Sequence, residues 1–233
     1  MIFPIGDEQV SGGHKPLIAY IFIGINILVF LFQVTLSPEL QQSFVTAYGV
    51  IPQEIVQGQD YFTLLTNMFL HGGWMHLIGN MLFLWVFADN IEAVIGKTRF
   101  ILFYIGGGLA ASAAHIFFNL DSPIPAVGAS GAISAVLGAY LVMFPASKIK
   151  VWVLYLFRSF YMPALYFLGI WGVQQFINGF LSIVPSSAYT SGVSWWAHIG
   201  GFVFGIVVGF LIRRHYEASN PYHTNKLSPR DLV

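Results

Sequence analysis

The stretch AVGASGAISAVLGAYLVMF, Ala126–Phe144, contains no charged residue and has the length of a membrane-spanning helix. A helix that crosses a bilayer needs roughly 20 predominantly apolar residues. Ser130 lies near the start of this stretch, within Gly-Ala-Ser-Gly. A serine in such a helix is often only a packing residue, because it bonds to its own backbone and lets neighbouring helices approach. The stretch therefore predicts a spanning helix and leaves the role of Ser130 open.

The composition extends this prediction to the whole chain. Of its 233 residues, 56% are hydrophobic and 9% are charged, with a mean hydropathy of +0.71. Soluble domains carry about 25% charged residues, so we expect an integral membrane protein. The chain has no cysteine and a net charge of zero, which excludes thiol chemistry and argues against a nucleic-acid partner. The N-terminal residues lack an apolar core, so we expect no cleavable signal peptide.

Further apolar stretches predict an all-α bundle of six transmembrane helices. The predicted spans are Pro16–Leu36, Gly72–Ala88, Phe100–Asn119, Ala126–Phe144, Met162–Val184 and Ser194–Ile212. Ser37–Leu70 is too interrupted to span, and we expect it at the membrane interface, packed on the bundle. Val151–Phe157 is apolar but short and predicts a segment lying at the surface. The predicted divisions are an N-terminal segment 1–15, a six-helix domain 16–214 and a tail 215–233.

The basic residues predict the orientation of this bundle. With six spans and a cytoplasmic N-terminus, all ten Lys and Arg residues fall on the cytoplasmic side. Cytoplasmic loops of membrane proteins are enriched in Lys and Arg. We therefore expect both termini in the cytoplasm. The basic residues are Lys15, Lys97, Arg99, Lys148, Lys150, Arg158, Arg213, Arg214, Lys226 and Arg230.

Three polar residues share one depth in the predicted bundle. His76, Ser130 and His198 each lie about one turn inside the outer end of a predicted span, so all three are on the order of 6–8 Å deep. Asn80 follows His76 by one helical turn and lies on the same face. Polar groups inside a membrane usually face the bundle interior or a water-filled cavity.

Small residues predict that two of these helices touch. Gly201, Gly205 and Gly209 line one helix, while Ser134 and Gly138 follow Ser130 on the other. Such surfaces allow close helix contact, which brings Ser130 within reach of His198. A serine beside a histidine base is an activated nucleophile. No acidic third member is evident, so we predict a Ser–His dyad, with Asn80, His76 and the Ser130 backbone N–H as oxyanion donors.

The remaining polar residues in the spans have simpler interpretations. We interpret His71 as a cap or a brace for the loop and His115 as a structural hydrogen-bonding group. No carboxylate or cysteine joins His71 and His76, so we expect no metal site and no cofactor. Gln174, Gln175 and Asn178 are compatible with a transport path or with interhelical packing, and we favour packing.

The motifs HGGWMHLIGN (His71–Asn80), GASG (Gly128–Gly131) and AHIGG (Ala197–Gly201) resemble, in order and spacing, those of the rhomboid family of intramembrane serine proteases. The resemblance implies a six-helix bundle with its first loop embedded in the outer leaflet. It implies Ser130 as nucleophile, His198 as general base, and Asn80, His76 and the Ser130 amide around the oxyanion. Some members place an aromatic residue one turn after the serine, where it supports the histidine. Ser134 occupies that position here, which leaves Trp195, Trp196 or no residue in this role.

We predict an intramembrane serine endopeptidase that cleaves transmembrane protein substrates near the outer face of the bilayer without a cofactor. We expect it in a prokaryotic cytoplasmic membrane. The alternative is a non-catalytic scaffold or chaperone of the same fold that binds client transmembrane helices, since fold alone does not determine function. The presence of both Ser130 and His198 favours the protease. A transporter is less favoured because the sequence has no evident internal repeat.

Overall fold

The computed structural model describes residues 2–8, 15–183 and 193–219, and these residues are mostly helical. One long helix overlaps each predicted span, although the boundaries differ by up to seven residues. The long helices are α1 (Leu17–Thr35), α5 (Trp74–Ile95), α6 (Lys97–Phe117), α7 (Ser130–Met143), α8 (Ala164–Ile183) and α9 (Trp195–Ser219).

Four of these helices are long and apolar enough to cross a membrane: α1, α5, α6 and the segment Trp195–His215 of α9. Helix α7 is apolar but has only 14 residues. Helix α8 has 20 residues, among them the polar Gln174, Gln175 and Asn178. The described part of the chain is therefore a multi-pass membrane protein.

Helix α7 forms the centre of the bundle, and nearly all of its residues are buried. It packs against α9 backbone to backbone, as the small residues predict. A methyl group added at Gly201 would overlap the carbonyl oxygen of Gly131, and one added at Gly205 would overlap that of Ala135. The contact therefore requires glycine on α9, and the predicted close approach of these two helices is present.

The connection between α1 and α5 folds into three short helices, α2 (Pro38–Tyr48), α3 (Pro52–Val56) and α4 (Thr63–Thr66), followed by a 3₁₀ turn. Hydrogen bonds hold it to the bundle as predicted. Gln33 of α1 bonds to both the backbone N–H and the carbonyl of His71, at 3.3 and 2.8 Å. Val50 forms an isolated β-bridge with Ala126, just before α7.

A small antiparallel sheet departs from the all-α prediction. Its strands are β1 (Ile2–Gly6), β2 (Lys148–Val153) and β3 (Arg158–Pro163), in that order. The predicted surface segment Val151–Phe157 is in fact the end of β2 and the tip of the β2–β3 hairpin. In β2, Ile149 and Val151 are fully buried and alternate with more exposed lysines, as in a strand with one buried face.

The sheet, the N-terminal segment and the ends of several helices meet at one end of the bundle, here called the basic end. Asp7 accepts hydrogen bonds from Tyr140 of α7 and Asn90 of α5. Glu92 of α5 accepts from the backbone N–H groups of Ile18 and Ala19, which satisfies the first turn of α1. The described basic residues all lie at or beside this end: Lys15, Lys97, Arg99, Lys148, Lys150, Arg158, Arg213 and Arg214.

Candidate active site

Ser130 is the first residue of α7, at the end of the bundle opposite the basic end. The predicted span began at Ala126, but residues 126–129 are not helical. Ala126 is extended and paired with Val50, and Gly128 has φ +132° and donates its N–H to the carbonyl of Asn67 at 2.9 Å. Ser130 therefore lies at the N-terminus of its helix, where the partial positive charge favours an anion.

His198 lies in the first turn of α9, and its Nε2 is 2.9 Å from Ser130 Oγ. The glycine contacts between α7 and α9 explain this distance. One turn below the serine, Ser134 Oγ donates to the carbonyl of Ser130 at 2.6 Å, so Ser134 stabilises the start of α7 and does not support the histidine ring. The pair has the separation that proton transfer from a serine to a histidine base requires.

Gln175 of α8 contacts the other nitrogen of the histidine. Its Oε1 lies 2.8 Å from His198 Nδ1, and the side chain is only 4% exposed. Of the two tryptophans considered from the sequence, Trp195 stands edge-on to His198 at 6.1 Å between ring centroids, while Trp196 stacks on Phe118 at 3.5 Å. The polar partner of His198 is therefore an amide, that of Gln175, for which the sequence favours a role in helix packing.

His76 lies beside the serine across Gly128. A methyl group added at Gly128 would lie 2.8 Å from His76 Nε2 and 3.6 Å from Ser130 Oγ, so only glycine fits here. The backbone N–H of Gly72 donates to His76 Nδ1 at 3.3 Å. Because Nδ1 accepts, a neutral ring carries its proton on Nε2. His76 thus presents an N–H donor to the space beside Ser130.

Asn80 lies one turn further along α5 and is buried. Its Nδ2 is 2.9 Å from Nε2 of His71, which is fully buried between α1 and α5. An amide nitrogen has two hydrogens, so the contact with His71 orients the group and leaves one hydrogen for another acceptor. His71 therefore braces the loop, as expected, and also holds Asn80.

A cavity of about 20 Å³ borders Ser130 and extends towards α6. Its polar lining includes Asn67, Ser112 and His115. A space of this size holds about one water molecule. His115 also contacts Asn119 through Nδ1 at 3.5 Å, in keeping with the structural role expected for it. Among the described residues, no three His, Cys, Asp or Glu side chains are grouped as metal ligands.

The sequence of α8 contains a signal for Gln175 that the sequence analysis missed, because two glycines flank this residue on one helix face. Leu168, Gly172, Gln175 and Gly179 follow one another at helical spacing and form the buried face of α8. A methyl group added at Gly172 would overlap the ring of Phe202, and one added at Gly179 would overlap the side chain of Ile199. Because these two glycines bring α8 close to α9, the amide between them reaches His198.

The fold and site define a polytopic membrane protein with a serine–histidine pair inside its helical bundle. The rhomboid domain model matches residues 58–215, more than half of the chain. The chain belongs to the rhomboid family.

Several named proteins are similar to it. The rhomboid protease GluP of Bacillus subtilis is 34% identical over 135 residues, which cover 58% of this chain and 26% of that protein. Rhomboid protein 1, mitochondrial, of Saccharomyces cerevisiae is 28% identical over 214 residues, or 88% of this chain and 56% of that protein. The putative rhomboid protease YdcA of Bacillus subtilis is 30% identical over 157 residues, covering 67% and 69% of the two chains. The chain spans about a quarter and about half of the first two relatives.

Proposed function

We propose that this protein is an intramembrane serine endopeptidase with Ser130 as nucleophile and His198 as general base. The observation that carries the proposal is the 2.9 Å separation of Ser130 Oγ and His198 Nε2 at the N-terminus of α7. Membership of a family in which relatives are named proteases supports the same function. A non-catalytic scaffold that binds client helices would not require this pair.

The reaction begins when His198 Nε2 takes the proton of Ser130 as its oxygen attacks a peptide carbonyl. The tetrahedral intermediate collapses to an acyl-enzyme as His198 gives the proton to the leaving amine. Water, deprotonated by the same nitrogen, then releases the new carboxyl group and restores Ser130. The cavity beside Ser130 is large enough to hold that water.

Three groups are proposed to stabilise the oxyanion. The backbone N–H of Ser130 points out of the helix N-terminus, the Nε2–H of His76 faces the space beside Gly128, and Asn80 has a free amide hydrogen. Preorganised donors of this kind act strongly in a site that excludes water. The helix N-terminus at Ser130 and the His76 donor across Gly128 are the features that favour acyl transfer.

We further propose that all six long helices cross the membrane and that the basic end faces the cytoplasm. Helix α7 is short, but it is surrounded by other helices, so it does not need the full length of a lipid-exposed span. The positive-inside tendency assigns the basic end to the cytoplasm. Ser130 then lies towards the outer face, where a membrane-anchored protein substrate is cleaved. No cofactor takes part in this scheme.

The proposal is tested with purified protein in vesicles together with a single-span protein substrate. Ser130→Ala, His198→Ala and the double variant should lose cleavage to a similar extent, because residues that act as one unit have non-additive effects. Cleavage by Ser130→Ala at the wild-type rate would exclude the proposed nucleophile. Substrate binding without cleavage by the wild type would favour the scaffold.

A further inference from the structure

We propose that Gln175 is a positioning residue that fixes the tautomer and orientation of His198, which makes the dyad a triad with an amide as its third member. The inference rests on the proposed function, since it concerns the base of that reaction. It begins from one contact, His198 Nδ1 to Gln175 Oε1 at 2.8 Å.

The direction of this hydrogen bond follows from the other end of the amide. Gln175 Nε2 donates to the carbonyl oxygen of Trp171, one turn earlier in α8, at 3.1 Å. A carbonyl oxygen only accepts, so the nitrogen of the amide must face Trp171 and the oxygen must face His198. The amide is thereby held in one orientation by its own helix.

The orientation of the amide decides which ring nitrogen of His198 carries the proton. Because Gln175 Oε1 only accepts, Nδ1 must donate, and in the neutral ring the proton therefore resides on Nδ1. Nε2 is left with a lone pair directed at Ser130 Oγ. This is the tautomer that a general base for serine needs, because a ring protonated on Nε2 could not accept the serine proton.

The packing of α8 makes the contact specific. Gly172 and Gly179 on either side of Gln175 allow α8 to approach α9 closely. Gln175 is 4% exposed, whereas its neighbour Gln174 is exposed on the outer face of the same helix. An amide has no charge, so it orients the imidazole at a smaller desolvation cost than a buried carboxylate would have. The two glutamines provide a matched pair for an experiment.

The test compares Gln175→Leu, Gln175→Glu and Gln174→Leu in detergent and in vesicles. Cleavage is expressed as kcat per serine that a fluorophosphonate labels. Gln175→Leu removes the acceptor and should lower kcat about tenfold, the effect of about one lost hydrogen bond, with KM within about twofold. Gln175→Glu retains an acceptor oxygen and should restore most of kcat. Gln174→Leu should equal the wild type.

The outcomes separate this inference from the proposed function. An inactive wild type whose Ser130 is not labelled would contradict the function itself. An active wild type matched by Gln175→Leu would overturn the role of Gln175. Equal losses in Gln175→Leu and Gln175→Glu, together with a lower melting temperature in both, would also overturn it, because they would indicate packing alone.

A second, independent observation concerns the tip of the β2–β3 hairpin. Tyr155, Leu156 and Phe157 are 79%, 65% and 80% exposed. Arg158 follows them directly and is also exposed, whereas Lys148 lies at the other end of the hairpin, opposite Pro163. Exposed aromatic and apolar residues beside basic ones are typical of a segment that lies in a membrane interface with anionic lipids.

The position of the hairpin supports lipid as its partner. Strand β3 runs directly into α8, where Leu165, Tyr166 and Ile170 are exposed on the outer face of the bundle. Exposed apolar residues therefore follow one another along the chain from the hairpin tip through Phe160 and Tyr161 to the membrane helix. We infer that the tip residues insert into the headgroup region of the adjacent leaflet and that Arg158 contacts anionic headgroups.

The absence of cysteine allows a direct test with single spin labels on Leu156→Cys and, as an aqueous control, on the exposed position Lys97→Cys. In vesicles, the label at position 156 should collide more with oxygen, which concentrates in lipid, than with a water-soluble nickel chelate. Anionic lipid should move the label at position 156 deeper into the bilayer, and Arg158→Gln should reduce this shift in depth. A label at position 156 as accessible to nickel as the control would overturn the inference.

Discussion

Gln175 Oε1 lies 2.8 Å from His198 Nδ1, on the side of the imidazole opposite Ser130. Serine, histidine and amide therefore form one hydrogen-bonded chain across helices α7, α9 and α8. The chain depends on glycine at each helix contact, because Gly201 and Gly205 bring α9 to α7 while Gly172 and Gly179 bring α8 to α9. The geometry of the site is thus set by backbone packing as much as by the polar residues.

Removing the amide of Asn80 tests the oxyanion site. Asn80→Ala should lower kcat by about 10²–10³, the usual effect of losing one oxyanion donor, with KM nearly unchanged. His71→Ala should have a smaller effect on kcat, since the His71 side chain acts on the reaction indirectly, by holding Asn80. The measurement is kcat per labelled serine together with the melting temperature. A lower melting temperature with kcat retained in the folded fraction would assign Asn80 to packing.

One added methyl group tests the contact between α7 and α9. In Gly205→Ala the methyl overlaps the backbone oxygen of Ala135, so the helices must separate. Overpacking of this kind typically costs about 1–3 kcal/mol, so the melting temperature should fall and labelling of Ser130 should slow. Gly169→Ala on α8 is the control, because its methyl meets nothing within 4 Å. Equal melting temperatures for both variants would contradict the close contact.

The fold was predictable from sequence where local pattern determines it. The apolar stretches located the six long helices, and the glycine and serine ridges predicted that Ser130 and His198 meet. The first turn of the predicted fourth span was wrong, because pairing of Ala126 with Val50 and the positive φ of Gly128 override its apolar character. Neither effect is visible in hydropathy.

The sheet and the role of Gln175 were missed for a related reason. Strand β1 pairs with β2, a segment more than half the chain away, and each strand is too short for a clear periodic signal. The flanking glycines Gly172 and Gly179 pointed to Gln175, but the same helix also presents Gln174 and Asn178, and only the packing of α8 on α9 distinguishes them. Long-range packing therefore decides which polar residue reaches the site.

The pH dependence of stability tests whether the buried carboxyl of Asp7, at the basic end, is protonated in the folded protein. Burial, assisted by the charge of Asp89, raises the pKa of Asp7 from 3.8 to about 8. A group whose pKa is higher in the folded than in the unfolded state contributes its full stabilisation of the fold below the unfolded pKa. This contribution is lost as the pH rises towards the folded pKa. Stability should therefore fall as the pH rises from about 4 to about 8. Asp7→Asn should remove this fall and melt higher than the wild type at pH 8.

The measurement is the melting temperature of the wild type and of Asp7→Asn at pH 5 and at pH 8. Glu8→Gln, with the same change of charge one residue away, is the control. Asn at position 7 can still accept from Tyr140 and Asn90, so the hydrogen bonds themselves are retained. Parallel pH curves for wild type and Asp7→Asn would contradict the role of this carboxyl.

The orientation is tested with single cysteines at exposed positions of the two ends. Gln53→Cys and Asp121→Cys should react in intact cells with a thiol reagent that does not cross the membrane. Lys97→Cys and Lys148→Cys, at the basic end, should react only after the membrane is opened. The basic residues and the positive-inside tendency determine this expectation. Labelling of Lys148→Cys from outside would reverse the orientation and the predicted side of cleavage.

The most direct test of the central claim is the site at which a fluorophosphonate attaches to the protein. The account predicts one adduct, on Ser130, identified by mass spectrometry of the purified protein. It also predicts no adduct in Ser130→Ala and very slow labelling in His198→Ala, because Nε2 of His198 must accept the serine proton. An adduct on another serine, or labelling of His198→Ala at the wild-type rate, would contradict the account.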